Sequence, residues 1–363
     1  MHIRCARPGT PEENVKIRLL AMGLVGSLLI GACGQSSTTP GASQSSTSPG
    51  ASPSTGAGGQ KVKMAFIPQL IGIPYFSAME KGGNRAAADL GIDFLYTGAT
   101  TASAPEQVRI MDNLIRQGFN AISVSVLDPA SINPAIAAAR KAGAVVLTSD
   151  SDSPTSERQA YIAQALDEDL GNILIDRLAA QIGNAGKIGI VSGESTATNL
   201  NTWIDFMKKR LASKYPDIQL VDVRFTSGGS SEDALRQAQE LMTRYPDLKG
   251  LIAVASTTVP GVAQAVESAG KKGQVAVIGY GSPNTVRPFI KSGVMKESIL
   301  WDPEKLGYLT VWAMDKFVKG EQLQPENQLP GFDKPVKWFP ATKTLLLGPP
   351  LVIDASNVDS FNF

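Results

Sequence analysis

Histidine occurs once in this chain, at His2, and cysteine twice, at Cys5 and Cys33. All three precede the part whose composition reads as globular, so neither a Ser-His-Asp nor a Cys-His arrangement can be assembled in the body. No disulfide framework is available there either, and a transition-metal site would have to be built from carboxylates alone. Charge of one sign is lacking as well. The 34 Lys and Arg residues nearly balance 33 Asp and Glu, for a formal net charge of +1, which gives no electrostatic pull toward nucleic acid, and no basic patch with interleaved aromatics is present. There is no GxxxxGK[ST] phosphate loop. The stretch GGNRAAADLG, Gly82 to Gly91, lies inside a helical pattern and not between a strand and a helix, which makes it a poor dinucleotide signal. Aromatic residues are 6% of the chain.

What is present begins with a leader. Lys16 and Arg18 precede LLAMGLVGSLLIGAC, Leu19 to Cys33, long enough for a secretory apolar region and short of the roughly 20 residues of a membrane span. Export is therefore expected. Gly31 and Ala32 before Cys33 resemble a bacterial lipobox, and that resemblance implies lipidation of Cys33, a periplasmic or outer-face location, and membrane attachment through the lipid alone. From Gln35 to Gln60 the residues are small and polar with Pro and Gly, too little apolar area to offset backbone entropy. The expected organisation is a signal peptide over 1–33, a flexible tether over 34–60 and a folded body from 61.

The body contains the same pattern twice. VKMAFIP, IDFLYTG, NAISVSVLDP and AVVLTSD are short apolar runs separated by helical stretches of ten residues or more. GKIGIVSG, QLVDVRFTSG, LKGLIAVAS and QVAVIGYGS repeat the order about 125 residues later. Strands buried on both faces and alternating with helices make parallel βαβ units. The fold class expected is α/β, two similar doubly wound lobes joined by a multi-strand hinge. The first lobe is assigned 61–166 plus about 301–321, and the second 167–300 plus about 322–363.

Open α/β sheets bind ligands beyond the carboxyl ends of their strands. The residues there are Gln69, Tyr75 and Phe76; Ser125; Asp150 and Asp152; Asn199, Asn201 and Trp203; Ser256; and Trp301 with Asp302. They are rich in carboxylates, amides, hydroxyls and aromatics and poor in cations. The pair in TSDSDSP admits three readings. Two glycosidase carboxylates normally come from separate elements across the substrate. A calcium loop fails because Pro154 follows the two acids, with no glycine or distal glutamate at the needed spacing. A polar clamp remains, with carboxylates and amides bonding vicinal hydroxyls and aromatic faces covering the C–H side of a sugar ring. Asp150 is the better candidate, and Asp152, beside Ser153 and Pro154, is expected to hold a turn.

FIPQLIGIPYFSAMEKG, QGFNAISVSVLDP, VVLTSDSDS and GYGSPNTVRPFIKSGVMKESILWD resemble the periplasmic solute-binding components of sugar ABC importers, type I and ribose-binding-like, nearest the rhamnose and autoinducer-2 branch. The likeness covers essentially Val62 to Phe363. It implies a monomeric, non-enzymatic receptor without cofactor or metal, which hands a monosaccharide to ABC permease subunits. In that family, positions matching Phe76, Ser125, Asp150 and Asp302 line the cleft. Its autoinducer-2 receptors carry a lysine where Gln69 stands, an Asp-Gln pair at Asn199 and Leu200, and a Pro-Asp-Ala stretch at Val254, Ala255 and Ser256. These departures favour a neutral monosaccharide such as rhamnose, with Leu200 or Val254 against a methyl group. An autoinducer-2 receptor and a sugar receptor coupled to a sensor are the alternatives of the same fold.

Overall fold

A computed structural model describes residues 61–363; the leader, the tether and Cys33 lie outside the described residues. The first repeat comprises β1 (Lys63–Ile67), α1 (Pro74–Leu90), β2 (Asp93–Tyr96), α2 (Ala104–Arg116), β3 (Ala121–Val124), α3 (Pro129–Lys141) and β4 (Val145–Ser149). A further strand, β5 (Ala160–Ala163), follows, and α4 (Asp167–Ile182) leads into the second repeat. That repeat comprises β6 (Gly186–Ser192), α5 (Thr198–Lys214), β7 (Ile218–Phe225), α6 (Ser231–Arg244), β8 (Leu248–Ala253), α7 (Thr258–Ser268) and β9 (Ala276–Gly279). The chain closes with α8 (Pro283–Ser292), β10 (Glu297–Leu300), α9 (Pro303–Val318), β11 (Glu326–Asn327), β12 (Val336–Phe339), β13 (Thr344–Leu346) and β14 (Leu351–Asp354).

The two sheets share one order. β2-β1-β3-β4 in the first lobe matches β7-β6-β8-β9 in the second, and all these pairings are parallel. Parallel sheets covered by helices on both faces need strands that are apolar throughout. Every residue of β3, β4 and β5 is accordingly buried, whereas β2, at an edge, is alternately exposed. One face of the first sheet packs Ile67, Ile122, Val124 and Val146 against Met111, Leu114, Ile132 and Ile136 of α2 and α3. Each such fully buried aliphatic side chain contributes about 1.5–3 kcal/mol relative to exposure. Helix ends follow local chemistry. The Ser103 and Ser230 hydroxyls accept from the third helical N–H of α2 and α6. Gly91 and Gly183 end α1 and α4 at φ of 70° and 75°, where a Cβ would be strained.

Helix α9 belongs to the first lobe by packing, lying on α1 and against β3, β4 and β5. The GG of GGNRAAADLG explains how closely. A Cβ on Gly82 would overlap the Glu304 carbonyl oxygen, and one on Gly307 would overlap that of Met79. The glycines let two helix backbones touch; they are packing residues. One expectation fails here. Residues 322–363 were assigned to the second lobe, yet β13, β12 and β11 extend the first lobe's sheet beyond β5, with Thr344 opposite Tyr161 and Leu346 opposite Ala163. Only β14 returns, pairing with β10. Without the hairpin β5 would be a bare parallel edge, and β13 covers it. The chain thus crosses between lobes three times, near residues 163–167, 300–303 and 346–351. No helix among the described residues is long and apolar enough to cross a membrane.

Candidate ligand-binding site

The carboxyl ends of both sheets face a common cavity, lined by residues that follow strands of each. At the end of β4, Ser151 N–H donates to the Ser149 carbonyl at 2.8 Å, a three-residue turn around Asp150, whose φ is 70°. Such a positive-φ turn is rare and strained, and aspartate is among the few non-glycine residues that tolerate it. The turn brings Asp150, only 3% exposed, to the cavity wall.

Two hydroxyls hold the carboxylate. Tyr75 donates to Oδ1 at 2.5 Å and Ser125 to Oδ2 at 2.7 Å. Tyr75 itself accepts from Trp301 Nε1 at 2.8 Å. No cation pairs with Asp150 among the described residues. Burial without a countercharge disfavours the charged form and pushes its pKa up to about 6, while the two hydroxyl donors pull it down. The neighbouring carboxylate and, above all, burial hold the Tyr75 hydroxyl well above the usual range, so it remains a donor.

Around this group stand five aromatic rings, all at most 5% exposed: Tyr75, Phe76, Trp203, Tyr280 and Trp301. Trp203 and Tyr280 meet at 4.9 Å between centroids, and Tyr75 and Trp301 at 5.7 Å, in edge-to-face contact. Trp203 is fixed by donating to Asp167 Oδ1 at 2.7 Å, and Tyr280 by donating to the Leu170 carbonyl at 2.6 Å. Polar groups also line the cavity. Gln69 Nε2 reaches the Val126 carbonyl at 3.2 Å and, across the lobes, Asn199 Oδ1 at 3.4 Å. Glu194, Ser256 and Thr257 join them, with Glu194 Oε1 accepting from the Gly228 N–H. No lysine, arginine or histidine lines the cavity. An uncharged polyhydroxylated ring, with an apolar face for the aromatics and hydroxyls for the carboxylate, fits this wall chemistry.

Comparison with known proteins decides the family. A periplasmic binding protein domain matches residues 64–322. The chain belongs to the periplasmic binding protein family. Among its relatives, the ribose import binding protein RbsB of Salmonella typhimurium is 25% identical over 268 residues, 73% of this chain and 87% of the relative. Among solved structures, LsrB from Clostridium saccharobutylicum in complex with AI-2 superposes with a TM-score of 0.78 at 26% identity, covering 83% of this chain and all of that one. A sugar ABC transporter protein from Actinomyces odontolyticus is 31% identical, with a TM-score of 0.67 over 83% of this chain and 97% of that one. Members of the periplasmic binding protein family hold solutes, and this chain is a binding protein, not an enzyme.

Of the residues expected from sequence, Gln69, Tyr75, Phe76, Asp150, Asn199, Trp203, Ser256 and Trp301 come together around the cavity. Four do not line it. Ser125 is fully buried behind Asp150 and acts through it. Asp152 is taken by Arg158, whose Nε and Nη2 donate to its two oxygens at 2.5 and 2.6 Å, and by Thr148 Oγ1 at 2.5 Å. Asn201 donates to the Ser195 carbonyl at 2.8 Å. Asp302 caps α9, accepting from the Lys305 N–H at 2.9 Å. Asn201 and Asp302 follow a common pattern, a short polar residue used to satisfy backbone groups at a helix or turn, whereas Ser125 and Asp152 are held by side chains. Glu194, Thr257 and Tyr280 after β6, β8 and β9, and Ile73 and Leu127 after β1 and β3, also lie past strand ends but are not singled out by sequence, and Ala102 reaches the cavity from the loop before α2 with no such signal.

Proposed function

We propose that this chain is the solute-binding component of an ABC-type sugar importer and takes a neutral monosaccharide, rhamnose being a suitable candidate, in the cleft between its lobes. One observation carries the reading: a buried, cation-free Asp150 faces a cavity walled by five aromatics. The ribose import function printed for a relative and the sugar transporter among the solved structures support it. The chain meets the ligand from both lobes, so binding energy favours the closed arrangement over the open one. Three crossings of the hinge permit opening while restraining sliding. The closed form is what permease subunits would read, and a lipid on Cys33 would keep the receptor at the membrane surface. Nothing is turned over.

The likeness to LsrB favours a second reading, an autoinducer-2 receptor. Against it, Gln69, Asn199, Leu200, Val254, Ala255 and Ser256, the positions that depart from such receptors, all line the cavity. Calorimetric titration of the full chain with rhamnose, ribose, xylose, galactose and autoinducer-2 separates the two. Micromolar or tighter binding of one monosaccharide is expected. Preference for autoinducer-2 would establish the second reading, and millimolar midpoints throughout would sink the first. Incorporation of a lipid label by the wild type and its loss in Cys33→Ala checks the anchor.

A further inference from the structure

The hydrogen bonds around the cavity have a direction, and together they specify the electrical character of the ligand. Trp301 Nε1 can only donate, so the Tyr75 hydroxyl accepts from it and spends its single proton on Asp150. Ser125 spends its proton on the other oxygen. The carboxylate is thereby fixed as an acceptor toward the cavity. Elsewhere in the lining, Gln69 Nε2 is engaged with Val126 and Asn199, which leaves Gln69 Oε1 as an acceptor and Asn199 Nδ2 as a donor. Glu194 has one oxygen on the Gly228 N–H and the other available. Ser256 and Thr257 can act either way. The wall is rich in acceptors, holds two carboxylates that make no ion pair among the described residues, and contains no cationic side chain. Arg158, in the same loop as Asp150, is paired with Asp152.

We propose that the cleft sorts sugars by charge: it admits neutral and amino sugars through their hydroxyl and ammonium donors and rejects uronic acids and sugar phosphates. This rests on the carbohydrate reading above and deepens it. A ligand carboxylate or phosphate would have to lie within several ångströms of Asp150 or Glu194 with no countercharge to offset the repulsion. Across about 6 Å at an effective dielectric of about 20, like-charge repulsion corresponds to roughly a 100-fold loss of affinity. An ammonium would instead bring the positive charge that the buried Asp150 lacks, and the aromatic faces are compatible with it.

The test is a set of matched sugars titrated calorimetrically into the full chain: galactose, galactosamine and galacturonate; glucose, glucosamine and glucuronate; ribose and ribose 5-phosphate. Within any series that contains a binder, the acid or phosphate is expected to bind about 100-fold or more weakly than the neutral sugar, and the amino sugar no more than a few-fold more weakly. In Glu194→Gln the gap between neutral and acidic partners is expected to narrow about tenfold. An acidic sugar binding within threefold of its neutral counterpart would overturn the charge sorting while leaving the carbohydrate receptor standing. Binding of no sugar in any series would overturn both.

Discussion

Two aspartates two positions apart, Asp150 and Asp152, live in opposite electrical worlds. Asp152 faces a guanidinium that grips both its oxygens, and its ion pair with Arg158 is 14% and 6% exposed on the two side chains. Arg158 also donates to the carbonyls of Thr342 and Lys343, so the pair stitches the loop after β4 to the β12–β13 hairpin. Asp150 has no cation, only hydroxyl donors, and an open side toward the cavity. The same residue type, in the same loop, is tied into an ion pair where a guanidinium meets it and lines the cavity where none does. The turn at Asp150, with φ of 70°, is what sends the two side chains to different places.

The largest effect that would break this comparison is on Asp152. Asp152→Ala leaves the Arg158 guanidinium nearly buried and unpaired, and should cost about 3–5 kcal/mol of stability, measured by chemical denaturation, with ligand affinity changed only a few-fold. An affinity loss as large as that of Asp150→Ala, in a variant still folded, would show that the two acids share one site. Next comes Asp150→Ala, which should weaken the monosaccharide by about 1.5–3 kcal/mol, roughly 10–150-fold, as charge-assisted hydrogen bonds are lost.

The pH dependence sharpens the contrast. The folded pKa of Asp150 lies near 6, above the usual carboxylate value of 3.8, so its charged form destabilises the ligand-free protein. Its contribution to stability is fully present below pH 4 and lost as the pH rises through 6. Relative to Asp150→Asn, the wild type should lose about 3 kcal/mol across that window. Affinity runs the other way. Ligand hydroxyls donate to the charged carboxylate, so binding should be flat above pH 6 and fall up to about tenfold per unit below it, and a pH-independent affinity down to pH 4.5 would remove Asp150 from the contact. Smallest is Asp302→Ala, a lost helix cap of about 1 kcal/mol with affinity unchanged in calorimetry. A tenfold loss of affinity there would return Asp302 to the cleft.

The repeat is legible in the sequence because apolar period and helix length carry βαβ order directly, and VKMAFIP, NAISVSV and AVVLTSD all form buried strands in that order. β5 escaped notice because AYIA is four residues in a polar setting, and β11 and β12 because hairpin strands of two to four residues have no period to read. Eight of the 22 residues lining the cavity, Asp150, Trp203 and Trp301 among them, followed from a single rule, that ligands sit past strand ends. The rule cannot tell an acid that faces the cavity from one that caps a helix, and Asp302 is such an acid.

By itself the sequence determined the duplicated α/β order, the lack of histidine and cysteine in the folded body, and the chemistry available at the strand ends. Those are local or compositional properties, written in runs of a few residues. Tertiary structure decided which side of the hinge the last hairpin joins, and which acids are spent on arginine, on a helix cap or on the cavity. Those outcomes depend on partners 75 residues away, as for Tyr75 with Asp150, or 226 away, as for Tyr75 with Trp301, and no local pattern records where a long-range neighbour leaves a carboxylate unpaired.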